Sequence, residues 1–360
     1  MNVETLNTIC SNLTDELNST KIIEQLNQLA SNLQYMVSQP QAPQHQQAVS
    51  TLRQSIYKIL QTTKINDYSP YRREVLKGMG FDKLLGNELA ERIESIFKNN
   101  VITSSIAHAE ITAITTQLRN LHSSITQLVN NFNSLNIKCS ILEEGKSEFS
   151  VTIPRKAISQ NFSQFSEEMK ELRKIVDDFN ELTIGSRPEI ILKTIASSEY
   201  EIILEVLPIT AVCIFIALEK IINIYKSLLE IRNLQKGLKR QGVPEEKIQG
   251  IEEYESQKMT DCIDECVKDL VRKFGSKIEA GRKQELSISF TKTIAKLANR
   301  IDSGFNFDVR FNDDDIEKMK TEEKTLSKKQ IQDMSKTLEF VNMTDEKILS
   351  LPEEPIEGGN

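Results

Sequence analysis

The sequence predicts a mainly α protein with a central α+β sandwich of order ββαββα, flanked by long coiled-coil-like helices. Three observations carry this prediction. Apolar residues recur three or four positions apart over most of the chain, which is helical spacing. In two stretches, 136–153 and 189–206, the period drops to two, as in strands. Only 13 glycines and 6% aromatics, with no tryptophan, favour helix over sheet.

In chain order, Leu6, Ile9, Leu13 and Leu17, then Ile22, Leu26, Leu29, Leu33 and Met36, mark helix over 1–37 with a slip between Leu17 and Ile22. The stretch 38–47, with two prolines and five glutamines, reads as a linker, and helix resumes over Ala48 to Thr62. A turn at Asn66 to Pro70, a short helix over Tyr71 to Met79 and a helix capped by Asn87 complete an N-terminal helical region, 1–100.

The segment 101–135 is the most regular. Ala107, Ile111, Ile114, Leu118, Leu121, Ile125, Leu128, Phe132 and Leu135 alternate steps of four and three, the period of a coiled-coil seam. Its flanks are Thr, Ser, Gln and Asn, so charge does not specify the partner. Both an antiparallel helix of the same chain and a second chain fit.

The sandwich is assigned to 136–241. Ile137, Cys139 and Ile141 alternate with polar residues, Glu143 to Lys146 form a turn, and Phe149, Val151 and Ile153 alternate again, which predicts a hairpin. Pro154 stops the strand, a helix over 158–182 follows, and Gly185 caps it. Strands over Glu189 to Ile195 and Glu199 to Val206 form the second pair. Pro208 then opens a long apolar helix that Gln241 to Pro244 ends.

The C-terminal helical region, 242–350, contains a charged amphipathic helix over 245–279 and another over 281–300. Phe305, Phe307, Val309 and Phe311 alternate, so 304–311 reads as a strand that can add to the sheet edge. A short helix opened by Asp313 to Asp315, a helix over 327–340 and a disordered tail over 351–360 are expected beyond it.

Bulk chemistry narrows the function. A net charge of −7 argues against a general nucleic-acid binder, and five scattered cysteines are unlike a secreted disulfide framework. The N-terminus lacks a signal peptide, so a cytoplasmic location is expected. Abundant Asn, Ile and Lys point to an AT-rich bacterial genome.

Two surfaces are candidates. The seam Ile111, Ile114, Leu118, Leu121, Ile125, Leu128, Phe132 and Leu135 fits self-association or docking of a partner helix. The segment 204–222 is the other, because Val206 to Leu218 carries no charge. Its Val206, Ile209, Val212, Phe215 and Ile216 form a candidate face for a partner or membrane. Glu219 and Lys220 interrupt the twenty residues a constitutive span needs, each centred charge costing roughly 2.5–3.5 kcal/mol. Burial in a soluble core is therefore the expectation; a segment buried in a soluble form and exposed on a membrane, as in helical pore-forming proteins, is the alternative.

Chemistry-bearing patterns are sparse. Cys262 and Cys266 are four apart beside Asp261 and Glu265, but no His lies near; His108 and His122 stand about 21 Å apart along one helix. There is no glycine-rich phosphate loop and no G-x-S-x-G. Glu189 and Lys193 on one strand, with Asp308 or Asp313 to Asp315, would be needed in one cleft for a metal-dependent hydrolase or nuclease. The sequence thus predicts a non-enzymatic cytosolic interaction or assembly protein with a protein partner or a homo-oligomer, and no metal or cofactor. Conditional membrane activity is the alternative.

Overall fold

The structure, a computed structural model, describes residues 3–100, 103–158, 161–196, 200–244, 250–312, 348–349 and 351. It is mostly helical, with one small four-stranded antiparallel sheet, and divides into two compact units, 1–141 and 142–360.

The first unit is helical. Helix α1 (Val3–Thr20) and α2 (Ile22–Ser38) meet at Lys21, whose φ of 51° is left-handed. This break is the slip in the apolar register between Leu17 and Ile22. Helix α3 (Pro43–Thr62) starts earlier than expected because Pro43, with its fixed φ, occupies the first helical turn and shortens the linker. Helices α4 (Pro70–Gly78) and α5 (Gly86–Asn99) follow. The Asn66 side chain accepts the backbone N–H of Asn87 at 2.9 Å, capping α5 from a distance. A Cβ at Gly86 would collide with that same Asn66 oxygen, so glycine is required there. The long α6 (Ser104–Ser134) packs against α1 and α2.

The second unit holds the sheet. Strand β1 (Ser147–Ile153), helix α7 (Phe162–Ile184), β2 (Ile191–Ala196), β3 (Tyr200–Val206), α8 (Pro208–Arg240), α9 (Ile251–Phe274), α10 (Ala280–Asp302) and β4 (Asn306–Phe311) follow in order. Asn161 caps α7 through its side chain, and Gly185, at φ 76°, ends it. The strand order is β2-β3-β1-β4, antiparallel throughout.

This corrects the ββαββα order. Ile137, Cys139 and Ile141 do not form a strand: Asn7 donates to the Ile137 carbonyl at 2.8 Å, and the Ser140 N–H donates to Thr8 Oγ1 at 2.8 Å, so α1 takes their polar groups. The place beside β1 goes to β4, which sets Phe307 against Val151 and Val309 against Phe149. Period two identifies a strand-like segment but not its partner, and β4 offers the more apolar face.

One face of the sheet is core: Phe149, Val151, Ile153, Ile202, Leu204, Val206, Phe307 and Val309 are all buried. Helix α8 lies against β1 and β4 and is also packed by α7, α9 and α10. Being covered on every side, it is buried without interruption from Thr210 to Leu218. Buried polar bonds join the layers. Thr210 donates to Asn180 at 2.9 Å, Asp178 accepts from Ser289 at 3.3 Å and Thr293 at 2.5 Å, and Arg232 Nε forks onto Glu255 at 3.1 and 3.2 Å. The expected helix over 245–279 is described as α9; its first residues, 245–249, the helices at 315–320 and 327–340, Asp313 to Asp315, and 352–360 of the tail lie outside the described residues.

Candidate functional site

The seam is largely filled from within its own unit. Ile111, Ile114, Leu118 and Ile125 are 0% exposed and Leu121 2%, in one core with Ile9, Leu13, Leu26, Leu29 and Leu33 of α1 and α2. Leu128 packs at the margin of that core, Phe132 is half-buried, and Leu135 is exposed. The apolar face of α8 is covered as well: Val206, Val212, Phe215 and Ile216 are buried and Ile209 is half-buried. Among the described residues α8 is the one helix long and apolar enough to cross a membrane, and most of its apolar stretch is buried inside the protein.

The exposed apolar surface of the sheet lies on β2. This strand pairs on one side with β3, and no described strand lies on its other side. Leu192 and Ile195 belong to the core face, opposite Leu204 and Ile202, yet they are 51% and 49% exposed. Ile191, on the opposite face, is 50% exposed. Among the described residues of the second unit, Phe162 at the start of α7 is the most exposed large apolar side chain, one turn from Phe165, whose ring packs on Tyr200 at 5.4 Å.

Exposed apolar edges ordinarily carry a lysine or a bulge that discourages pairing. Here the register shifts between Leu192 and Thr194, so β2 carries such an irregularity, and Lys193, next to core-facing Leu192, lies on the polar face of the sheet. Its Nζ lies 3.7 Å from Glu205 and 3.9 Å from Glu148. Those two carboxylates sit directly opposite each other on β3 and β1, a repulsive arrangement. Arg310, 3.2 Å from Glu148, and Lys146, which bonds Glu205 and whose own pKa is raised by that hydrogen bond, complete a compensated row. The lysine therefore neutralises the polar face of the sheet instead of guarding its edge.

The described residues named for a hydrolase site are placed as follows. Glu189 precedes β2 and is exposed, outside the strand that carries Lys193. Asp308 lies on the polar face opposite Ser150.

All five cysteines are free. Burial pushes the Cys266 thiol up to about 12 and Cys10 to about 11, and raises Cys213 and Cys262 as well, which disfavours their thiolates. Among the described residues no group of three His, Cys, Asp or Glu side chains is arranged to hold a metal. His45 stacks on Tyr35 and bonds Asn32 at 3.2 Å, and His108 bonds Thr112.

No family model, curated protein or solved structure matches this chain. The surface must be judged on its own chemistry. The β2 strand itself was legible from its apolar residues. Its exposure was not, because period two reports a strand without saying which strands are at the edge. The apolar residues on both faces, Ile191 and Leu192 in succession, were the available signal.

Proposed function

We propose that the protein is a non-enzymatic assembly protein of the cytoplasm that self-associates by antiparallel pairing of β2 with β2 of a second copy. The exposed apolar edge of β2 carries this reading. Pairing across a two-fold axis makes an isologous interface, in which each side chain meets the same surface on the other copy. It supplies a strand partner for the open side of β2 and sets Ile191, Leu192 and Ile195 against apolar neighbours. Because Glu148 and Glu205 hold Lys193 over its own sheet, the two lysines need not face one another across the axis.

The test is light scattering after size exclusion over a range of concentrations, on the wild type and on Leu192→Lys with Ile195→Lys. The wild type should give twice the chain mass at high concentration, and the variant, with unchanged circular dichroism, the chain mass. A wild type that stays monomeric throughout refutes the reading.

Conditional membrane activity is the second reading, and α8 favours it by length and composition. Inserting α8 would require removing it from β1, β4, α7, α9 and α10 together.

A further inference from the structure

The irregularity in β2 gives this strand a facing pattern that reads the same in both directions. Ile191 pairs with Glu205 on the polar face of the sheet, and Leu192 with Leu204 on the core face. Beyond the shift, Thr194 pairs with Ile203 on the polar face, Ile195 with Ile202 on the core face, and Ala196 with Glu201 on the polar face. Lys193 is the residue left over, and its Nζ, 3.7 Å from Glu205, puts it on the polar face too. From Ile191 to Ala196 the order is therefore polar, core, polar, polar, core, polar.

A regular strand alternates strictly, so it can meet an antiparallel copy of itself in several registers, each centred on a residue and each matching face to face. The extra residue removes that freedom. With two neighbours on one face, the order is symmetrical about the bond between Lys193 and Thr194, and only the register centred there matches faces along the whole strand. A slip of one or two residues either way sets Leu192 or Ile195 against a residue of the polar face. A bulge opposes two residues to one on a regular partner, whereas against its own copy two oppose two and the ladder is unbroken.

We propose that the bulge is the register key of self-association: the second copy docks with its Ile195 opposite Leu192, its Thr194 opposite Lys193 and its Ala196 opposite Ile191. The inference rests on the β2 pairing proposed above and fixes its geometry. By two-fold symmetry each contact occurs twice. Leu192 and Ile195, 51% and 49% exposed, each gain an aliphatic cross-strand neighbour. The lysines stand diagonally across the axis, each with its charge met within its own chain by Glu148 and Glu205.

The test uses full chains carrying one introduced cysteine each, Leu192→Cys in one preparation and Ile195→Cys in another. They are oxidised with glutathione disulfide, separately and after mixing and exchange. The mixture should give covalent dimer well above the level of the wild type with its five native cysteines, and neither variant alone should exceed that level. Cross-linking of either variant with itself overturns the register, as does a mixture that light scattering shows to be dimeric but that does not cross-link. A wild type that stays monomeric overturns the pairing, and the register with it. A charge swap decides without cysteine. Leu192→Lys with Ile195→Glu sets each introduced lysine opposite an introduced carboxylate, and should dimerise at least ten-fold more tightly than Leu192→Lys with Ile195→Lys. Two variants that dimerise equally, or that both stay monomeric, refute the register.

Discussion

Single side chains in the second unit show where the fold is under tension. Ser147 begins β1 on the core face, is 0% exposed, and its hydroxyl has no hydrogen-bond partner. A buried polar group left unsatisfied costs about 1–3 kcal/mol. Ser147→Ala should therefore raise stability by about 1 kcal/mol, read as a higher urea midpoint; a midpoint at or below wild type would show that the hydroxyl is satisfied in solution. Glu171 shows the opposite case. Burial opposes its ionisation, but hydrogen bonds from Lys174 and Lys296 prevail and hold it at about 2, below its ordinary 4.5. An acid with a depressed folded-state pKa contributes stability above its unfolded value and loses it as pH falls through the folded one. The urea midpoint should thus decline from about pH 4.5 to about pH 2, and Lys296→Met should flatten that decline. An equal decline in the variant would rule out the lysine as the cause.

At the scale of elements, α6 and β2 exchange the roles their patterns suggest. The α6 seam has the period of an intermolecular coiled coil, yet from Ile111 to Ile125 it is filled by α1 and α2. Leu121→Asp with Leu128→Asp places one carboxylate at a site 2% exposed and another at the core margin, and a large core truncation alone costs about 2–5 kcal/mol. The expected result is a lower first melting transition and lost helicity by circular dichroism. A fully folded variant of half the wild-type mass would make the seam an interface between chains. Strand β2 carries the less regular pattern but the exposed apolar surface, and lysines at 192 and 195 are expected to abolish self-association without unfolding the sheet.

For the molecule as a whole, the apolar α8 fixes what the second unit can do. Buried from Thr210 to Leu218, it is the centre on which sheet and helices are assembled. Releasing it would expose the core of the unit, so liposomes of neutral or anionic lipid at neutral pH should neither float the protein nor leak dye. Flotation or leakage there would establish the membrane reading.

The sequence by itself determined most of the described helices, several of their ends and the strand-like segments, since these follow from local terms: apolar period, proline at α8, glycine after α7, the register slip at Lys21. It also made 304–311 a strand able to join the sheet. Which segments meet was decided only by the tertiary structure. Ile137 to Ile141 and Phe307 to Phe311 have the same period, and β4 took the place beside β1 because its apolar face completes the core while α1 binds the polar groups of the other. The seam and the β2 edge were separated in the same way: periodicity gives the direction in which a side chain points, and only packing determines whether the space it points into is already filled.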